Sequence, residues 1–290
     1  MRRRRLATAA ALAFSTLLVA VTVGVATEGA AGGAATPSMD PSRAPARFVA
    51  RCFSSHTLSD DPIVKPNQPG ASHSHDFFGN KTTNAASTLA SLSKGGTTCI
   101  NRLDKSGYWV PSLTVNGQTV LPRVASIYYA NAGKPFRTIK TIPRGLKVVA
   151  GNALAIAPQS LQIASWNCGA DEESVPLSSA PPTCPEPTLT MHIAFPDCWN
   201  GHDLDSPNHQ THLAYHGRRG TCPAGYPVPI PRLRINVHYP TSGGPGVALA
   251  SGGQYSGHAD FFNAWNAKEL RRLVHRCINA GRTCNARESL

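Results

Sequence analysis

The chain has 290 residues, with 28 Lys+Arg against 16 Asp+Glu and a formal charge of +12. That length accommodates one large or two small domains. The basic residues are scattered rather than set in a stripe with interleaved aromatics, which argues against a nucleic-acid partner.

The N-terminus reads as an address. Arg2, Arg3, Arg4 and Arg5 precede an apolar run from Leu6 to Ala26, and small residues continue to Ala35. This is the pattern of a secretory signal. The expected organisation is a signal peptide and disordered lead over 1–35, a linker over 36–46 and a single β-rich domain over 47–290. A secreted, extracellular protein follows, with no stable membrane insertion after signal cleavage. Losing four arginines and Glu28 leaves a charge of about +9, a balance suited to an anionic cell-wall polymer.

Strand signals fill the body. Short β-branched or aromatic runs bounded by Pro and Gly predict strands at Arg47–Phe53, Val124–Tyr129, Leu146–Ala150, Leu161–Trp166, Thr188–Ala194, His212–Tyr215 and Leu233–Tyr239. Ser112–Val115 and Gln118–Leu121 flank Asn116-Gly117, a pair that accepts the positive φ angles of a type I′ hairpin turn. One helix is predicted near the C-terminus: Asn266 caps it, Glu269 follows three residues later, and Leu270, Leu273, Val274, Cys277 and Ile278 recur at helical spacing before Gly281. The fold class is mainly β, a single-domain β-sandwich or barrel-like fold with one C-terminal α-helix, stapled by disulfides.

Eight cysteines in an oxidising compartment imply four bridges. Sequential pairing closes the shortest loops: Cys52–Cys99, Cys168–Cys184, Cys198–Cys222 and Cys277–Cys284. No C-x-x-C spacing supports a cysteine zinc site.

The densest chemistry lies in Phe195–His212, which carries Asp197, Asp203, Asp205, His202, His209, His212, Cys198 and Trp199. Its Pro, Gly and Asn residues mark it as a loop, where scaffolds place function. The bland alternative is a disulfide-pinned loop whose polar groups satisfy one another. Upstream, His73 and His75 share one face if extended, next to Asp76. Late in the chain His258-Ala259-Asp260-Phe261-Phe262 repeats the Asp-Phe-Phe of Asp76-Phe77-Phe78, which suggests two similar turns flanking one cleft. Along Leu233–Tyr239, Arg234, Asn236 and His238 share a face that suits either a polar ligand or solvent at a sheet edge.

Three functions fit these residues. The first is a carbohydrate-active enzyme cleaving a glycosidic bond in an extracellular or cell-wall polysaccharide, by hydrolysis or elimination. Asp76, Asp260 and Asp203 or Asp205 would supply acid and base, with His75, His209, His212 and His258 orienting them or abstracting a proton. Tyr108, Trp109 and Trp199 would stack on sugar rings, with Asn200, Arg234 and His238 as further binding groups. The second is a non-catalytic polysaccharide-binding or wall-binding protein. The third is a histidine-ligated metal protein using His73, His75, His209 and His212, with zinc the first candidate. No cofactor is demanded by a motif; a divalent metal is the alternative. A Gly-x-Ser-x-Gly elbow, a P-loop and a dinucleotide fingerprint are all missing from the sequence.

The phrases His75-Asp76-Phe77-Phe78-Gly79, Gly107-Tyr108-Trp109-Val110-Pro111, Phe195-Pro196-Asp197-Cys198-Trp199-Asn200-Gly201, Asp205-Ser206-Pro207-Asn208-His209, Cys222-Pro223 and His258-Ala259-Asp260-Phe261 resemble the domain-of-unknown-function family 1996. The resemblance runs from about Phe48 to Cys277. It implies one domain in an exported protein, with polysaccharide surroundings suggested by fungal members that carry sugar-binding wall modules. It carries over no reaction and no catalytic residue.

Overall fold

A computed structural model describes residues 45–135, 137–169 and 175–285. The expected signal and lead fall outside these residues, as does nearly all of the expected linker. The described chain forms strands β1 (Arg47–Leu58), β2 (His75–Gly79), β3 (Gly107–Pro111), β4 (Leu113–Val115), β5 (Gln118–Val120), β6 (Val124–Ala130), β7 (Lys147–Gly151) and β8 (Ala164–Cys168). These are followed by β9 (Leu189–Ala194), β10 (Cys198–Trp199), β11 (Leu213–Ala214), β12 (Val228–Pro229), β13 (Arg232–His238), β14 (Val247–Leu249), β15 (His258–Phe262) and β16 (Thr283–Cys284). Helix α1 covers Leu89–Lys94, and α2 covers Ala267–Leu273 before running into a π turn over Val274–Ile278.

The main sheet has ten strands in the order β7-β15-β3-β2-β1-β6-β13-β9-β8, with β16 added beside β1. It curls until β7 approaches β9, giving a nearly closed, barrel-like architecture. The twelve-residue β1 serves both halves: its first seven residues pair with β6, and after an irregularity between Ser54 and His56 it pairs with β2. Such a bulge bends a long strand so that it can follow the curve of a barrel.

The two faces of the sheet carry different chemistry. Ile127, Ile193, Leu233, Ile235, Val237, Tyr108, Val110, Val148 and Phe261 fill the apolar interior. Within it, Trp265 donates to the Tyr129 hydroxyl (3.0 Å), and the Tyr129 and Tyr108 hydroxyls lie 2.6 Å apart. Tyr108 donates to Asp104 at 2.7 Å. Burial nevertheless raises the Asp104 carboxyl to about 7, against the lowering effect of that hydrogen bond.

Sequence and structure agree on the hairpin, where Asn116 and Gly117 have φ of 51° and 79°. They agree on all four disulfide pairings and on α2, whose Asn266 side chain accepts from the Lys268 and Glu269 amides. Three expectations need correction. The Asp-Phe-Phe segments are not turns: β2 and β15 are buried inner strands on either side of β3. The strand carrying Arg234, Asn236 and His238 is no edge, because β6 and β9 flank it. The predicted His212–Tyr215 strand shrinks to the two-residue β11. The four bridges fit an oxidising, extracellular setting, and no described helix is long and apolar enough to cross a membrane.

Candidate functional site

The site grows from the register of three strands. Trp109 on β3 stands opposite Phe77 of β2 on one side and Asp260 of β15 on the other. Directly opposed residues point to the same face, so His75, Phe77, Trp109, His258, Asp260 and Phe262 all leave the outer side of the sheet. The segment after β1 folds over them. Ile63 packs with Phe77, Trp109 and Phe262, and the Asp61 carboxylate accepts the Ile63 and Val64 amides at 2.8 and 2.9 Å. Asp60 ties the same segment down by accepting from Gly70 and Ala85. The returning chain then sets His73 against the strand histidines.

The result is a buried cluster. His73 Nε2 lies 3.1 Å from His258 Nε2, and His75 Nε2 lies 3.4 Å from the same atom. His75 Nδ1 faces the Asp60 carbonyl at 3.0 Å and His258 Nδ1 faces the Ser256 carbonyl at 2.9 Å. A carbonyl only accepts, so both Nδ1 atoms carry the proton and both Nε2 atoms present bare lone pairs. His75 and His258 are sealed, at 0% and 3% exposure, while His73 is half-buried. Burial lowers all three imidazoles. His258 falls to about 4; His75 is held well below its usual range by burial and then by His258 and His73; in His73 the nearby Asp61 opposes the shift.

Two carboxyls complete the cluster. An Asp61 oxygen, an Asp260 oxygen and a His75 nitrogen all lie within 4.8 Å of one another. Asp260 is 1% exposed and neither of its oxygens has a hydrogen-bond partner. Burial, and then Asp61, push its carboxyl well above the usual range. Burial also raises Asp61, partly offset by its two amide donors and by the Trp109 indole. Trp109 Nε1 itself makes no hydrogen bond of ordinary geometry.

Asp76 does not join them. Phe77, not Asp76, aligns with Trp109 and hence with Asp260, so the two Asp-Phe-Phe tripeptides are one residue out of register. A one-residue offset flips every side chain. Asp76 therefore faces inward, accepting from Thr57 and Ser112 at 2.7 and 3.2 Å, and burial raises its carboxyl despite both donors. The expected cleft between Asp76 and Asp260 is not formed; the neighbour of Asp260 is Asp61, which the sequence reading passed over. Its only signal was an Asp-Asp doublet directly before Pro62.

The Phe195–His212 block builds a separate region. Asp197 is sealed at 0% exposure and meets Lys134, also at 0%, together with His216 Nδ1 at 2.7 Å. Burial would raise the Asp197 carboxyl, but His216 and Lys134 together hold it below its ordinary value. Asp205 accepts from His209 at 2.8 Å and pairs with Lys147 at 3.2 Å. Its burial is likewise outweighed, and its carboxyl lies low. His212 donates Nε2–H to the Lys147 carbonyl. Lys147 pairs with Phe262, four residues along β15 from His258, which puts His212 about 13 Å from the histidine cluster at strand spacing. The four-histidine metal set therefore divides: His73 and His75 meet His258, whereas His209 and His212 do not reach them. Asp203 is exposed; hydrogen bonds from Asn200 and then His202 lower its carboxyl.

The expected sugar platform is also redistributed. Tyr108 and Trp109 are at 0% exposure, so neither offers an open stacking face. Trp199 is partly exposed, with its indole N–H on the Asp203 carbonyl at 2.6 Å. Asn200 spends its side chain on the His202 and Asp203 amides and the Asp203 carboxylate. Arg234 and His238 sit on β13, with β1 and β6 between that strand and β2. His238 contacts Thr190 and Ser126 and is lowered to about 4, mainly by burial. A cavity of about 280 Å³ opens beside β7 instead, lined by Val149, Gly151, Asn152, Gln159, Ile163, Pro196, Gln210, Leu213 and Tyr215. Gly151 and Val149 are the cross-strand partners of His258 and Asp260. Gln159 also holds the carbonyls of Tyr255 and Gly257, just before His258.

Comparison with curated proteins and with solved structures finds no match for this chain. Residues 61–265 match the family described as Domain of unknown function (DUF1996). The matched span begins at Asp61, takes in every member of the histidine cluster and ends at Trp265, and it covers more than half of the sequence. The chain belongs to the DUF1996 family.

Proposed function

We propose that this domain is an exported protein that binds an extracellular polysaccharide and cleaves a glycosidic bond at the histidine centre. The observation that carries this reading is the cavity of about 280 Å³ whose β7 wall pairs with His258 and Asp260. Its lining contains no charged side chain. Val149, Ile163, Leu213 and Tyr215 supply apolar surface, and Asn152, Gln159 and Gln210 supply amides. A few polar groups over an apolar floor suit a neutral sugar ring, and a lining without a charged side chain offers no partner to an acidic one.

The two-carboxylate mechanism is disfavoured. Asp61 and Asp260 are as close as such pairs require, but at 3% and 1% exposure they are shielded from a polymer. The accessible member of the centre is His73, so the reaction would be reached from its side. The test is a panel of neutral and acidic wall polysaccharides assayed for new reducing ends and unsaturated products. Turnover on a neutral polymer, lost in Ile163→Trp, which fills the cavity, supports the reading. Retention on insoluble polymer without turnover would reduce it to binding. Silence in both assays removes it.

A further inference from the structure

We infer that His73, His75 and His258 form a three-nitrogen site for a divalent first-row metal ion of the zinc type. This deepens the proposed function by naming a cofactor for the same centre, and it relies on that proposal only for the centre's purpose, not for the site's existence.

The first argument is the direction of the lone pairs. Carbonyl partners fix the protons of His75 and His258 on Nδ1, so both Nε2 atoms face each other as acceptors 3.4 Å apart. Two bare acceptors at that distance repel. A proton carried by His73 Nε2 would satisfy His258 at 3.1 Å, but the third nitrogen would still face only a lone pair. A cation between the three satisfies all of them at once.

The second argument is distance. Zinc–imidazole bonds of 2.0–2.1 Å in tetrahedral geometry separate neighbouring ligand nitrogens by about 3.3–3.4 Å. The observed separations of 3.1 and 3.4 Å bracket that edge, and all three ligand atoms lie within 4.8 Å of one another. The third argument is support. Ligating histidines usually donate their other N–H to a carbonyl or carboxylate, which fixes tautomer and ring orientation; His75 and His258 both do so here. Asp260 adds an acceptor that is 1% exposed, without a partner and within 4.8 Å of His75 together with Asp61. Such orphaned carboxyl oxygens are costly in an apolar site and are readily explained beside a cation.

Three protein nitrogens leave a tetrahedral ion one open position, the arrangement of catalytic rather than structural zinc sites. The half-buried His73 is the side from which water or substrate reaches it. Two other groupings fail as alternatives. Cys52 and Cys99 near Asp104 are joined in a disulfide, and His209 and His212 lie in the other region.

The test uses the full chain, stripped with a chelator and titrated with zinc and with cobalt. The expected result is one ion per chain and, with cobalt, the intense visible bands of a four-coordinate site. His258→Ala and the half-buried His73→Ala should each lose the stoichiometric ion, while the His209→Ala/His212→Ala double variant keeps it. Near-UV circular dichroism verifies folding, and His73→Ala decides the matter if His258→Ala is unstable. Absence of stoichiometric binding in folded wild-type protein overturns the inference, and so does undiminished binding in either single variant. A protein that binds the ion but cleaves no polysaccharide refutes the proposed reaction and leaves the metal site standing.

Discussion

Two buried polar clusters in this molecule look alike by composition and differ in bookkeeping of hydrogen bonds. In the first, Lys134, Asp197 and His216 meet around a single carboxylate, and Asp197 also accepts the His216 amide at 3.1 Å. Opposite charges and matched donors close that cluster on itself. In the second, His73, His75, His258, Asp61 and Asp260 lie together, yet both Asp260 oxygens lack a hydrogen-bond partner and the Nε2 atoms of His75 and His258 face each other as acceptors. Buried polar groups are normally paired. A cluster that pairs internally is explained by the fold, and one that does not asks for something from outside.

The comparison breaks first, and hardest, at Asp197. Asp197→Ala leaves the Lys134 ammonium buried without its partner, and chemical denaturation should show a loss of about 3–5 kcal/mol. A loss below about 1 kcal/mol would mean that the pair is not desolvated as described.

Asp104 gives the next effect, through pH. Its folded-state carboxyl lies at about 7 against an ordinary value of 3.8, so the folded chain keeps a proton that the unfolded chain releases. That contribution to stability is intact below about pH 4 and is lost as pH rises toward 7. A shift of that size is worth on the order of 4 kcal/mol. The slope of stability between pH 4 and 7 should flatten in Asp104→Asn; an unchanged slope assigns it to other groups.

A smaller effect separates the clusters directly. Zinc at about 100 times its dissociation constant should stabilise the wild type by about 2.7 kcal/mol. The same zinc should stabilise Asp197→Ala equally, because that cluster has no part in the site, and should leave His258→Ala unaffected. Smallest of all is the exposed rim of the Phe195–His212 block. Asp203→Ala should leave the denaturation midpoint indistinguishable from that of the wild type and leave metal binding as it was.

Much of the fold was legible because it rests on local chemistry. Asn116-Gly117 announced its hairpin, Asn266 its helix start, and the cysteine spacing its pairing. The strands that form the centre were harder. His75–Gly79 and His258–Phe262 are buried on both faces, so they lack the alternation that marks a half-exposed strand. Their shared tripeptide suggested two turns flanking one cleft, whereas the two strands lie on either side of β3. It also misled, since only strand register decides that Asp260 points outward and Asp76 inward. The block richest in acids and imidazoles drew attention by density, yet Asp197 and Asp205 are occupied by their own neighbours. His73 and His258, 185 residues apart, could be joined only by the curled sheet and the segment folded over it.

The most direct measurement is a crystal of the zinc-soaked full chain examined by anomalous scattering at the zinc edge. The account predicts one strong peak about 2.0–2.1 Å from the Nε2 atoms of His73, His75 and His258. No peak there, with all three imidazoles ordered in the same map, would contradict it.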